Sequence, residues 1–125
     1  MVKAIHTENA PAAIGPYSQG IKAGDFVYIS GQIGMIPETG KVAEGIENQT
    51  KQVLENLKAI LTEAEADFSK VVKFTIYLQS MDDFALVNDI YGSYLTEPYP
   101  ARATVEVSRL PKNVLVEMDA VVYTK

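Results

Sequence analysis

No cysteine occurs among the 125 residues, which excludes a thiol nucleophile, a zinc–thiolate centre and a disulfide framework. The absence fits a reducing compartment, and the cytoplasm is the expected one. Histidine is nearly as scarce. His6 is the sole example and has no serine-and-acid cluster near it, which argues against a Ser-His-Asp triad. Basic charge is in deficit: 11 Lys and Arg against 16 Asp and Glu, a net charge of −5. The basic residues are also scattered, so nucleic acid is not an expected partner. No segment approaches the roughly 20 apolar residues of a membrane span, and the N-terminal MVKAIHTENAPAA lacks an apolar run of signal-peptide length. A membrane is therefore not expected as a partner. GxGxxG, GxxxxGK[ST] and metal-ligand spacings of His, Asp and Glu are all missing. Nothing calls for a nucleotide, a metal or an organic cofactor.

What remains is an ordinary globular composition, 47% apolar and 22% charged, long enough to bury a core as one domain over residues 1–125. TENAPAAIGP (7–16) reads as an irregular loop. FVYISGQI (26–33) alternates as a strand, with Val27, Ile29, Gly31 and Ile33 expected on one face and Phe26, Tyr28, Ser30 and Gln32 on the other. From Ile46 to Ala64 the apolar residues recur at helical spacing, with Glu47 and Lys51 four apart in the favourable order. VVKFTIYL (71–78) alternates again, placing Val72 with Phe74, Ile76 and Leu78. A shorter helix follows SMDD and ends before Pro98 and Pro100. Strands over 102–107 and 114–123 close the chain. This order predicts an α+β fold, a mixed sheet with two helices packed on one face. The other face is not fully polar, since Tyr28, Tyr77, Leu115 and Val121 compete for it, and that predicts an oligomer.

Arg102 stands at the start of a run otherwise suited to burial. Arg102, Thr104 and Glu106 share one strand face. Glu106 lies about 13 Å along the strand, too far for a direct pair. Spacing leaves two readings open: an arginine that snorkels to water or pairs across strands, and a guanidinium fork set for a small carboxylate. Glu117 sits among apolar neighbours in LVEMDAVVY. There it is either an edge charge that blocks aggregation or a carboxyl with a raised pKa suited to proton transfer. Tyr17 in GPYSQG is either plain packing or a flat wall against a ligand. Gly31, beside Ser30, allows close backbone approach. Asn88 falls off the apolar stripe of the second helix.

Taken in order, GPYSQG, YISGQIG, QTKQVLENLKAIL, VVKFTIYL with MDDFALVNDIY, and PARATVEVSRLPKNVLVEMDAV resemble the YjgF/YER057c/UK114 family, in particular its reactive-intermediate deaminase branch, over about residues 4–123. The resemblance implies a chorismate-mutase-like α+β fold and a homotrimer with clefts between subunits. It also implies hydrolysis of 2-enamino and 2-imino acids, such as 2-aminoacrylate, to 2-oxo acids and ammonia. By motif match, Arg102 anchors the substrate carboxylate, Glu117 attends the catalytic water, Tyr17 and Ser30 line the cleft, and Asn88 matches the family's helix asparagine; Gly31 and Thr104 are expected beside the substrate as well. Thr104 stands where many members carry cysteine, so thiol-based properties do not carry over. The rival readings are a non-enzymatic binder of small metabolites in the same cleft, and a chaperone-like or regulatory trimer that works through apolar surface. Ribonuclease activity, attached to some relatives, suits this acidic chain least.

Overall fold

The computed structural model describes residues 1–125. Its strands are β1 (Val2–Ile5), β2 (Gly20–Ala23), β3 (Phe26–Ile33), β4 (Val71–Leu78), β5 (Ala101–Glu106) and β6 (Val116–Tyr123). The helices are α1 (Gly45–Glu63) and α2 (Phe84–Ser93). The strands form one sheet in the order β1-β2-β3-β6-β4-β5. Every pairing is antiparallel except β4 with β5. Parallel neighbours need a crossover connection, and α2 supplies it. The mixed sheet with two helices is the architecture expected from the alternation of strand and helix patterns.

Both helices lie on one face because the two periodicities meet there. Val53, Leu54, Leu57, Ile60 and Leu61 form the buried stripe of α1, and Val87, Ile90 and Tyr91 that of α2. They close over Phe74, Ile76 and Leu78 of β4 and Val116, Met118, Ala120 and Val122 of β6. The Glu47–Lys51 pair forms at 3.2 Å on the exposed side of α1, where such a pair contributes little.

Two strand faces depart from simple alternation. In β3 the register against β6 shifts between Ile29 and Gln32. The extra residue of this bulge reverses the face. Gln32 is consequently buried and Gly31 exposed, the reverse of the expected pattern. In β4 the register shifts between Val71 and Lys73, so Val71 is buried and Val72 exposed. β1 and β2 are four residues each, too short to carry a periodic signal in the sequence.

The opposite sheet face is open. Tyr28, 51% exposed, pairs with Val121, and Val105, 43% exposed, pairs with Tyr77. Aromatic and aliphatic side chains on an uncovered sheet face mark an interaction surface.

Candidate functional site

Glu117 projects to this open face. It pairs with Ile33 of β3 on one side and Tyr77 of β4 on the other. The β3 bulge makes room for it: a Cβ added to Gly31 would collide with the Glu117 carboxyl group. Burial, and secondly the negative charge of Asp119, push the Glu117 carboxyl above its ordinary pKa. A carboxyl so placed holds a proton nearer neutrality and is fit to exchange it.

Around Glu117 is a cavity of about 410 Å³ lined by residues that include Tyr17, Ser30, Gly31, Ile33, Met35 and Lys112. Its walls are held by buried amides. Gln19, only 2% exposed, accepts from the Thr7 N–H at 2.7 Å and donates to the carbonyls of Thr7 and Pro11. These bonds fix the irregular N-terminal loop that leads to Tyr17. The Ser30 hydroxyl donates to the Ser18 carbonyl at 2.6 Å, and the Ser30 N–H donates to that of Gln19. Asn56 of α1, fully buried, donates to the carbonyls of Ile33 and Met35. Gln49 accepts from the Leu115 N–H at 2.8 Å. Loop and strand ends are thus tied to α1 through side chains, because irregular backbone leaves polar groups that must be satisfied.

Lys112 enters this cavity from a one-turn 3-10 segment, Pro111–Asn113. It and Asn113 both have positive φ, 55° and 54°, a conformation that costs residues other than glycine.

Arg102 lies elsewhere. It pairs with Phe74 across the β4–β5 ladder and shares that residue's helix-side face. Its Nη1 donates to Asn88 Oδ1 at 2.5 Å. Its Cζ lies 5.5 Å from the Phe84 ring centre and 5.2 Å from that of Tyr91, a cation–π cradle. No carboxylate neutralises it, as the one ion pair of the chain is Lys51–Glu47. Glu106, its strand-mate, is turned to the Met81 N–H. Arg102 itself remains exposed, beside a cavity of about 500 Å³ with Asn88, Tyr91, Gly92, Tyr99 and Pro100.

Two hydroxyls near this arginine, those of Thr104 and Tyr91, are buried without a hydrogen-bond partner. Burial pushes the Tyr91 hydroxyl up in pKa, and the Arg102 charge partly offsets that.

The fold thus gathers Tyr17, Ser30, Gly31 and Glu117 in one cavity and Arg102, Asn88 and Thr104 on the other side of the sheet. Sequence reasoning did not find Gln19, Gln49 and Asn56, whose roles as backbone partners carry no periodic signature. Lys112 had a local signal, a position just after Pro111 in a turn. No group of three or more His, Asp or Glu side chains is placed to hold a metal ion.

The family model described as "Endoribonuclease L-PSP" matches residues 7–124. A RutC family protein of Pyrococcus abyssi is 56% identical over 120 residues, covering 95% of this chain and 94% of that protein. A Salmonella typhimurium protein named 2-iminobutanoate/2-iminopropanoate deaminase is 49% identical over 124 residues, covering 97% of each. Among solved structures, a RidA from an Antarctic Psychrobacter species superposes with a TM-score of 0.95 at 48% identity, covering 97% of this chain and 98% of that one.

Proposed function

This chain belongs to the endoribonuclease L-PSP family, the YjgF-type family, and from that premise we propose that it hydrolyses 2-imino acids, and their 2-enamino tautomers, to 2-oxo acids and ammonia. The observation that carries the reading is Arg102, a guanidinium held in place yet left without an anion, in a chain 49% identical to a protein named for this activity.

The chemistry asks little of the protein. An enamine takes a proton at carbon to become an imine. Water then adds to the imine carbon, and the resulting amino alcohol expels ammonia as the carbonyl forms. The net change is one water consumed and one ammonia released. Arg102 fixes the substrate carboxylate through its N–H groups and so orients the reacting carbon. Glu117 orients the water and moves protons between it and the departing nitrogen. Tyr17 covers the planar substrate, with Ser30 and the Gly31 backbone at the rim. Asn88 and Thr104 complete the arginine side.

Arg102 and Glu117 meet one small substrate only if they come from different copies. We therefore assign the active form as a homotrimer in which residues 1–125 of each subunit form one domain, with a site at each interface, working in the cytoplasm. The apolar open sheet face supports this assembly, since a cyclic oligomer buries the same patch on each copy.

The test couples the purified protein to a pyridoxal-phosphate threonine or serine dehydratase and follows ammonia or 2-oxo acid. The expected result is release faster than the unassisted rate, lost in Arg102→Ala. Ligand binding with no acceleration would favour the metabolite-binding reading instead.

A further inference from the structure

Two polar side chains beside Glu117 have no part in the hydrolysis just described. The Tyr77 hydroxyl donates to Asp119 Oδ2 at 2.8 Å. Asp119 is two residues beyond Glu117 on the same strand and therefore on the same face, about 6.6 Å away along the backbone. Tyr77 is the direct cross-strand partner of Glu117, yet its hydroxyl reaches diagonally to Asp119, whose own partner is Thr75. The result is a carboxylate pinned within one strand repeat of the site carboxyl. We propose that Asp119, fixed by Tyr77, is a positioning residue that acts on the reaction through Glu117, deciding which of the two carboxyl groups carries the site's proton.

The physical argument begins with charge. Two carboxyl groups this close do not both ionise freely, and the first to ionise is the one better supplied with donors. Asp119 has the Tyr77 hydroxyl. Glu117 is shifted upward by burial and then by Asp119, with no hydrogen bond to its anion offsetting either. Tyr77 carries the reciprocal mark: its phenol is pushed up, first by the bond to Asp119 and next by burial.

The other groups facing Glu117 leave this asymmetry in place. Within one copy they are Gly31 and Ser30 from β3, Tyr17 from the N-terminal loop and Lys112 from the 111–113 turn; in the proposed trimer the Arg102 guanidinium of a neighbouring copy joins them, alike in the wild type and in the Asp119 and Tyr77 variants. Within the copy only Lys112 is a basic side chain, and it forms no ion pair with Glu117. The Tyr77 hydroxyl thus serves Asp119, and burial together with the Asp119 charge holds the Glu117 carboxyl above its ordinary pKa.

The inference rests on the hydrolase reading only for its consequence in turnover, so the test reads the proton directly. In intact protein carrying 13C-labelled glutamate, the Glu117 carboxyl resonance is titrated, with Glu117→Gln assigning the signal. Asp119→Asn is expected to lower the Glu117 midpoint by roughly half to one pH unit. The acid limb of the imine-hydrolysis pH profile should move by the same amount, and Asp119→Glu should restore both. Tyr77→Phe, which removes one hydroxyl and threatens folding least, should move the midpoint in the same direction by less. No shift in Asp119→Asn overturns the proposal outright. A shift there with none in Tyr77→Phe removes Tyr77 from it. If the midpoint moves while Glu117→Gln turns over imine at the wild-type rate, the pair stands and the catalytic role of Glu117 falls.

Discussion

Arg102 and Glu117 sit two strands apart in one sheet and face opposite sides of it. Arg102 aligns with buried Phe74 under α2, whereas Glu117 aligns with Tyr77 on the open face. A substrate of a few carbon atoms cannot bridge the thickness of a sheet. A site that uses both residues therefore needs a second copy of the chain.

Arg102→Ala should fold and assemble, since the side chain is exposed, but should lose about 10- to 100-fold or more in kcat/KM, the worth of a charged hydrogen-bonded anchor. Arg102→Lys should recover little of that, because a point charge reproduces neither the fork nor the stacking between Phe84 and Tyr91. Steady-state rates with the dehydratase-coupled assay check both. A fully active lysine variant would show that only charge matters.

Gly31→Ala introduces a Cβ into the space of the Glu117 carboxyl. The atoms it meets belong to a flexible side chain rather than to backbone, so the carboxyl moves aside and the fold survives. Melting should change little while turnover drops. An alanine variant with wild-type kcat would mean that the carboxyl position is unimportant.

Glu117 also links stability to pH. Its carboxyl titrates higher in the folded chain than in the unfolded one. The folded state thus binds the extra proton between the two midpoints, and stability falls as pH rises through that interval. Glu117→Gln should accordingly melt higher than wild type at about pH 8, with the gain vanishing near about pH 3.5, where both states are protonated. Equal gains at the two pH values would remove burial as the cause.

Asn56→Ala leaves the Ile33 and Met35 carbonyls without their side-chain donor. Losing two buried partners should cost about 2–4 kcal/mol in urea unfolding. A loss below about 0.5 kcal/mol would show that those carbonyls find other donors.

The sequence made parts of this legible for identifiable reasons. The stripe of α1 and the alternation of β4 and β6 are long enough to declare their period, and the residues that face the core follow from it. Gly31 and Gln32 defeated the same logic, because a bulge is one unpaired residue with no compositional mark. Gln19, Gln49 and Asn56 were invisible for another reason: their partners are backbone groups 8 to 66 residues away. Arg102 and Glu117 stood out as charges in apolar strands. That they face opposite sides depends on the strand order β6-β4-β5, which no local pattern encodes.

The most direct measurement is complementation between two inactive subunits. Arg102→Ala and Glu117→Gln proteins, each alone at background rate, are co-refolded in equal amounts and assayed for imine hydrolysis. With each site built from the arginine of one subunit and the glutamate of the next, random assembly into trimers returns about one quarter of wild-type activity. A mixture that stays at background, while sedimenting as a mixed trimer, would contradict a site shared between copies.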